Sequence, residues 1–195
     1  MAAWHPGVLL ILGISSLFSL FACSSAKSGS GSVAEDGTER GTGELLPIGS
    51  KAPDFTAKDH LGNTIRLSEF AGKQNVVLLF YPMNETPGCT QQLCAARDDF
   101  ELYNRSDIAV FGVNPADAES HKKFAERYEF PFGIIVDSEG EVTRLYGCRG
   151  FAGLVKRTVY VVDKEGKIVF AQRGMPSTAK QLKALGITKE TAQNQ

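Results

Sequence analysis

Short, almost continuous apolar runs recur along the chain from about residue 47 onward. Residues 76–81, 108–113 and 134–137 form three such runs, each bounded by polar or turn-forming positions. A short run of this kind is typical of a strand that is buried on both faces of a sheet. Two further pairs of short segments flank polar turns, and each pair predicts a β-hairpin: 54–58 with 64–67, and 158–162 with 168–171.

Apolar side chains at helical spacing separate these strands. Leu93, Ala96, Phe100 and Tyr103 share one stripe and predict a single helix after a loop at residues 83–88. Strands that alternate with helices, followed by a hairpin and a final helix, favour an α/β sandwich of the thioredoxin type, with a central mixed β-sheet flanked by helices. Further helices are predicted at residues 121–128, 142–146 and 178–185.

The first 22 residues have the pattern of an export signal. Residues 8–21 are almost wholly apolar, and no charged side chain precedes Lys27. This run is shorter than the roughly 20 apolar residues that a membrane-spanning helix needs, so it favours a signal peptide at residues 1–22. A plant-type transit peptide is disfavoured, because such peptides are amphipathic and rich in Arg and Ser.

The apolar run ends in Leu-Phe-Ala-Cys at residues 20–23, which resembles the lipobox of bacterial lipoproteins. The resemblance implies that Cys23 becomes the lipid-modified first residue of a protein anchored to a membrane of the bacterial cell envelope. The alternative is that Cys23 merely follows a signal that is cleaved from a secreted protein. Residues 24–43 are half Gly or Ser and cannot build a core, and a flexible coil of that length has an end-to-end distance of about 25 Å. Residues 23–46 are therefore predicted to be a flexible tether. The folded domain is then expected at residues 47–195.

Composition excludes several classes of function. The 21 basic and 22 acidic residues give a net charge of −1 and are scattered along the chain, which disfavours a nucleic-acid binder. Neither a GxGxxG nor a GxxxxGKS/T motif is present, so no nucleotide cofactor is expected. Beyond the N-terminal region only His60 and His121 are available as imidazole ligands, and both are expected to be surface or helix-packing residues. No metal site is predicted.

The cysteines carry most of the chemical information. Cys89 follows the loop after the first buried strand and stands where the next helix is predicted to begin. A thiolate at a helix N-terminus faces unpaired backbone N–H groups and the positive end of the helix dipole, which favour its ionised, nucleophilic form. Thr86 and Pro87 complete a turn that can hold a small polar substrate beside the sulfur.

Residues 82–89 match the PxxxTxxC signature of peroxiredoxins. The segment Thr-Pro-Gly-Cys-Thr at 86–90, followed by Cys94, is similar to the peroxiredoxin Q, or bacterioferritin comigratory protein, subgroup. The resemblance covers about residues 47–186, although Ala96 and Val159 stand where the subgroup usually has Phe and Thr. Further matching segments are Arg97-Asp98, Gly112-Val113, 120–125, Pro131-Phe132 and Arg157 with 161–164.

The resemblance implies an antioxidant enzyme that reduces hydrogen peroxide and organic hydroperoxides. Cys89 would be the peroxidatic nucleophile and would be oxidised to a sulfenic acid, which Cys94 would resolve as an intramolecular disulfide. Thr86 would hydrogen-bond the sulfur or the peroxide, and Arg157 would keep the thiolate ionised and polarise the peroxide. A thioredoxin-like protein would reduce the disulfide, and the enzyme would be a monomer or a weak dimer.

Other interpretations of the cysteines stay open. Cys94 would form a permanent structural disulfide if the compartment is oxidising, and Cys148 is expected to be a spare thiol. A membrane-tethered thioredoxin-like thiol–disulfide oxidoreductase is the alternative enzyme class, although its motif is CxxC and this chain carries CxxxxC. A scaffolding lipoprotein that kept the fold without the activity is the non-enzymatic alternative.

Overall fold

The computed structural model describes residues 43–188. The predicted signal peptide, Cys23 and most of the predicted tether lie outside the described residues, as do the last seven residues of the predicted domain. The described part contains the whole alternating pattern of strands and helices.

A five-stranded mixed sheet forms the centre of the domain, in the order β5-β4-β3-β6-β7. Strands β3, β4 and β5 run parallel to one another, whereas β6 is antiparallel to β3 and β7 is antiparallel to β6. A separate antiparallel pair, β1 with β2, is the hairpin predicted near the start of the domain. The strands are β1 (Thr56–Lys58), β2 (Thr64–Arg66), β3 (Asn75–Phe80), β4 (Ile108–Asn114), β5 (Gly133–Val136), β6 (Thr158–Val162) and β7 (Ile168–Arg173).

Helices cover both faces of this sheet. Apolar residues of α1, α2, α3 and α5 pack on one face, and those of α4 pack on the other together with residues flanking the β1–β2 hairpin. Within residues 43–188 no helix is long and apolar enough to cross a membrane. The helices are α1 (Pro87–Asp98), α2 (Phe100–Arg105), α3 (Ala118–Tyr128), α4 (Glu141–Leu145) and α5 (Thr178–Ala184), with short 3-10 turns at Leu67–Phe70 and Phe151–Gly153.

The central strand β3 explains why the apolar run at residues 76–81 has no alternation. All six residues of β3 are buried. Successive side chains point to opposite faces of a strand, and here Val77 and Leu79 enter one core while Val76, Leu78 and Phe80 enter the other. The predicted thioredoxin-like α/β sandwich with a central mixed sheet is therefore confirmed.

The apolar stripe at residues 93–103 predicted a single helix, and this prediction is wrong, because the structure contains two helices there. Helix α1 ends at Asp98 and α2 begins at Phe100, with Asp99 between them at φ −95° and ψ 10°. Leu93 and Tyr103 nevertheless enter the same core. A break of one residue leaves the spacing of apolar positions almost unchanged, so the pattern alone does not reveal it.

The described end of the predicted tether is bound to the domain. The carbonyl oxygen of Gly43 accepts hydrogen bonds from Arg173 Nη2 at 2.8 Å and Lys156 Nζ at 3.0 Å. The N–H of Leu46 donates to the hydroxyl of Tyr160 at 3.0 Å. Contacts with the domain therefore begin at least four residues before the boundary at position 47 that the composition indicated.

Candidate active site

The turn between β3 and α1 places Cys89 in the first turn of a helix. Thr86 is the N-cap residue in an extended conformation, and Pro87 opens the helix, where its missing N–H costs no hydrogen bond. The N–H of Cys89 donates to the carbonyl of Thr86 at 3.0 Å. The predicted position of this cysteine at a helix N-terminus is confirmed, and its side chain is fully buried.

Arg157, the residue before β6, approaches Cys89 from the neighbouring strand's start. Its Nη2 donates to Cys89 Sγ at 3.0 Å. Because β6 pairs with β3 in a register that places Thr158 opposite Phe80, Arg157 lies beside the end of β3, where the loop toward Cys89 begins. Sheet pairing thus joins two residues that are far apart in sequence.

Gly88 leaves the space that this contact needs. A Cβ at this position would lie 3.2 Å from Arg157 Nη2, closer than ordinary van der Waals contact. The guanidinium can therefore approach the helix backbone directly. Its permanent positive charge therefore lies within hydrogen-bond distance of Cys89 Sγ.

Gln92 is a site residue that the sequence reasoning missed. Its Oε1 accepts a hydrogen bond from Arg157 Nη1, so the two arms of the guanidinium are fixed by Gln92 and Cys89. The side chain is buried, and its Nε2 has no hydrogen-bond partner among the described residues. The available signal was its spacing: a residue three positions after Cys89 lies on the same side of the helix.

The remaining predicted residues occupy different positions relative to the sulfur. The hydroxyl of Thr86 donates to the carbonyl of Met83 at 3.3 Å, so its contact with sulfur or peroxide stays a prediction. Cys94 is half-buried on α1 and packs against the same core as Cys89. Among the described residues Cys89, Cys94 and Cys148 are all free thiols.

Cys148 is separated from this site by the sheet. It belongs to the core on the opposite face from Cys89. Its thiol donates to the carbonyl of Tyr146 at 3.4 Å, and burial raises the pKa of Cys148 to about 11. A buried thiol that holds its proton is a poor nucleophile, which agrees with the expectation of a spare cysteine.

A second group of polar side chains lies behind the loop that leads to Cys89. His121 is fully buried on α3, and its Nδ1 lies 3.1 Å from Nδ2 of Asn84 in that loop. Burial lowers the pKa of His121 to about 4. His121 is therefore a buried, hydrogen-bonded residue of α3 rather than a surface residue. No cluster of three metal-ligating side chains occurs within the described residues 43–188.

Comparison with known proteins agrees with this geometry. A family model described as "AhpC/TSA family" matches residues 48–171. Peroxiredoxin Q, chloroplastic, from Triticum aestivum is 45% identical over 124 residues, which cover 63% of this chain and 57% of the wheat protein. Peroxiredoxin Bcp from Bacillus subtilis (strain 168) is 36% identical over 132 residues, which cover 64% of this chain and 83% of the Bacillus protein.

A solved structure is also similar. The crystal structure of peroxidoxin BcpB from Mycobacterium tuberculosis superposes with a TM-score of 0.64 at 32% sequence identity, and the match covers 75% of this chain and 96% of that one. The chain therefore spans nearly all of the Mycobacterium protein but little more than half of the wheat relative.

Proposed function

This chain belongs to the AhpC/TSA family, among the peroxiredoxin Q and Bcp proteins, and from that membership we propose that it is a thiol-dependent peroxidase with Cys89 as its nucleophile. The observation that carries the proposal is the 3.0 Å contact from Arg157 Nη2 to Cys89 Sγ at the start of α1. A guanidinium and a helix N-terminus together favour a thiolate, the form that attacks an O–O bond.

The proposed reaction begins with attack of the Cys89 thiolate on one oxygen of the peroxide. The O–O bond breaks, an S–O bond forms, and the other oxygen leaves as water or an alcohol after it gains a proton. Cys89 is thereby oxidised to a sulfenic acid and the peroxide is reduced. Arg157 donates hydrogen bonds to the charge that develops on the oxygens, and Gln92 fixes the direction of the guanidinium.

Thr86 contributes in one of two ways. Its hydroxyl donates to the Met83 carbonyl, which leaves its oxygen free to accept a hydrogen bond from the O–H of a bound peroxide. To donate to the peroxide or to the sulfur instead, the hydroxyl would have to give up Met83. We expect it to act first as an acceptor that orients the substrate.

The second half of the cycle restores the thiol. The Cys94 thiol attacks the sulfenic sulfur, an S–S bond forms, and water leaves. A dithiol reductant of the thioredoxin type then reduces this disulfide and is itself oxidised to a disulfide. The alternative, a thiol–disulfide oxidoreductase, is not better supported, because its motif has two residues between the cysteines and this chain has four.

We propose that the protein is a monomer or a weak dimer. Equilibrium sedimentation of the purified protein tests this.

Peroxide consumption by the purified, reduced protein tests the main proposal. We expect hydrogen peroxide to consume Cys89 and Cys94 rapidly and in proportion to the enzyme, and turnover to require a thioredoxin-like reductant. Cys89→Ser should abolish consumption, whereas Cys148→Ser, in the opposite core, should leave it nearly intact. Equal loss in the two variants, or no consumption by the wild-type protein, would reject the assignment.

We also propose that the chain is a lipoprotein, tethered to a membrane of the bacterial cell envelope through a lipid on Cys23. The support is sequence alone: the apolar run at residues 8–21, the Cys that follows it, and the Gly- and Ser-rich segment after it. Stable anchoring requires lipid, because that segment has too little apolar surface to bind a bilayer.

Membrane fractionation after expression in a bacterial host tests the anchor. Cys23→Ser should lose incorporation of a labelled fatty acid and leave the membrane fraction, while the neighbouring control Ser25→Ala should stay there. Retention of the Cys23→Ser protein in washed membranes after signal cleavage would refute the lipoprotein assignment. Release of both proteins in soluble, cleaved form would support a secreted enzyme instead.

A further inference from the structure

A partly buried hydrogen-bond network joins the loop before Cys89 to the rest of the domain through the side chain of Asn84. The hydroxyl of Tyr81 donates to Asn84 Oδ1 at 2.8 Å. Asn84 Nδ2 donates to Ser120 Oγ at 2.8 Å and lies 3.1 Å from His121 Nδ1. One side chain thus connects the end of β3 with the first turn of α3.

The directions of these hydrogen bonds follow from the opposite side of the imidazole. His121 Nε2 lies 3.2 Å from the carbonyl oxygen of Asn114, which can only accept, so Nε2 carries the proton. Both amide atoms of Asn84 lie near Nδ1, with Nδ2 at 3.1 Å and Oδ1 at 3.2 Å. In a neutral imidazole that carries its proton on Nε2, Nδ1 can only accept, so it receives the second N–H of Nδ2 while Oδ1 accepts from Tyr81. Both N–H bonds and the carbonyl oxygen of the amide are used, which leaves no polar group of Asn84 unsatisfied.

The charge state of His121 agrees with this assignment. Burial is the main reason that the pKa of His121 falls to about 4, and the nearby His60 also disfavours the charged form. Asp117, at the N-cap of α3, and the hydrogen bond to Asn114 act in the opposite direction. The hydroxyl of Tyr81, 3.4 Å from Nδ1, is the remaining titratable group at the ring. His121 is therefore neutral near pH 7.

The loop that Asn84 holds contains a strained residue. Glu85 has φ +57°, a left-handed conformation that a residue with a Cβ adopts only at a cost. It stands between Asn84 and the N-cap Thr86, so it sets the direction in which the chain enters α1. Such a conformation persists when the surrounding contacts enforce it. The bonds to Asn84 fix the backbone on one side of Glu85, and α1 fixes it on the other.

We propose that Asn84 and neutral His121 form a positioning pair that holds the loop before α1 so that Cys89 meets Arg157 in its reactive geometry. This role rests on the proposed peroxidase function, and neither residue contacts the reacting atoms. The amide is specifically suited to the neutral ring, because it offers an N–H to Nδ1 and a carbonyl oxygen to Tyr81. A carboxylate of the same size offers no N–H.

Two substitutions at position 84 separate this role from simple packing. Asn84→Leu keeps the approximate volume and removes all three hydrogen bonds. Asn84→Asp keeps the shape and can still accept from Tyr81 and Ser120, but it faces Nδ1 with an oxygen. The network then closes only when Nδ1 is protonated, so the pKa of His121 should rise and the loop should become sensitive to pH.

One substitution at position 121 tests whether the two hydrogen bonds of His121 are sufficient for activity. The amide of Gln at this position can donate to Asn114 and accept from Asn84, which are the two hydrogen bonds of the neutral imidazole, and it carries no titratable proton. His121→Gln should therefore retain activity near pH 7, whereas His121→Leu should not. Asn104→Asp, on the exposed face of α2, is the matched control for an added negative charge.

The experiment measures kcat and KM for hydrogen peroxide between pH 5 and pH 8 under saturating reductant, together with the NMR titration of His121. We expect kcat/KM of Asn84→Leu to fall on the order of 10-fold to 100-fold. In Asn84→Asp the His121 midpoint should move above its wild-type value, and peroxidase activity should decline as pH rises through the new midpoint. Asn104→Asp should change neither measurement.

The rate at which iodoacetamide alkylates Cys89 separates the two proposals. Absence of peroxidase activity in the wild-type protein would reject the proposed function. The alkylation rate of Cys89 and the NMR titration of His121 would still test the positioning role, because neither measurement needs peroxide turnover. Wild-type alkylation and peroxidase rates in Asn84→Leu, or an unchanged His121 midpoint in Asn84→Asp, would overturn that role. If Asn84→Leu fails to fold by circular dichroism, Asn84→Asp and His121→Gln decide the question alone.

Discussion

Cys89 and Cys94 lie five residues apart on one unbroken helix, α1, and both are free thiols among the described residues. In a continuous α-helix two residues at this spacing have Cα atoms about 8.7 Å apart. A disulfide needs Cα atoms about 4.4–6.8 Å apart. Closing the proposed Cys89–Cys94 bridge therefore requires the first turns of α1 to unwind.

Hydrogen exchange should report this unwinding. We expect backbone amides at about residues 89–95 to exchange faster in the disulfide form than in the reduced form, with little change elsewhere in the domain. Unwinding exposes the buried Leu93, which costs about 1.5–3 kcal/mol. It also hydrates Thr90 Oγ1 and Gln92 Nε2, which have no hydrogen-bond partner among the described residues.

Exchange measured by mass spectrometry on Cys94→Ser, with and without peroxide, is the control, because this variant cannot form the bridge. Unchanged exchange in a protein shown to carry the bridge would contradict the helix geometry.

Removal of Cys94 should increase overoxidation of Cys89. As the proposed resolving thiol, Cys94 would capture the sulfenic acid before a second peroxide molecule reacts with it. We expect Cys94→Ser to accumulate sulfinic acid at Cys89 under excess peroxide, detected by intact mass as two added oxygen atoms. Cys148→Ser should behave as the wild-type protein does. Equal sulfinic acid in the Cys94→Ser and wild-type proteins would mean that Cys94 does not resolve the sulfenic acid.

Replacement of Arg157 should slow the reaction of Cys89 with peroxide. Arg157→Met removes both hydrogen bonds of the guanidinium, and we expect a loss on the order of 100-fold in the second-order rate. Arg157→Lys should recover only part of it, because one ammonium group cannot reproduce the planar fork that contacts Cys89 and Gln92. Stopped-flow peroxide kinetics measures these rates, with Arg105→Met on the exposed face of α2 as the control. A wild-type rate of peroxide reaction in Arg157→Met would show that Arg157 does not contribute to catalysis.

Stability should fall in mild acid because of His121. Its pKa is about 4 in the folded protein, below the ordinary value of 6.5, so between these values the unfolded chain binds a proton that the folded chain does not. The free energy of unfolding therefore declines as pH falls from 6.5 toward 4, by on the order of 3 kcal/mol from this residue. Denaturant titrations at pH 7, 5 and 4 should show a steeper decline for the wild-type protein than for His121→Gln. Parallel declines would show that His121 is not held neutral by the fold.

Cys148 should react slowly with alkylating reagents. Burial raises its pKa to about 11, so near pH 8 almost all of this thiol is protonated as well as enclosed. In a Cys89→Ser background we expect iodoacetamide to modify the half-buried Cys94 long before Cys148, as located by peptide mass spectrometry. Urea should bring the two rates together, because unfolding removes the burial. Similar rates in the native protein would contradict the buried position of Cys148.

The order of the elements and the helix-start position of the candidate nucleophile could be predicted from local sequence. The apolar run at residues 76–81 indicated a strand buried on both faces, and β3 is such a strand along its whole length. Cys89 was assigned from the turn that precedes it and from the PxxxTxxC motif. The strand and the helix start were predicted correctly because burial periodicity, turn residues and helix starts depend on residues close together in sequence. The role of Cys89 as the nucleophile stays a proposal.

The tertiary structure decided which residues meet. Arg157 is 68 residues from Cys89, and only the antiparallel pairing of β6 with β3 brings their side chains together. The contact between Asn84 and His121 depends in the same way on how α3 packs behind the loop. A periodic pattern reports that a side chain is buried, but it does not say which partner it finds there, because the partner is set by strand order, register and packing across the sheet. The sequence therefore determined the elements and pointed to Cys89 as the candidate nucleophile, and the fold determined which groups lie beside that thiol and its loop.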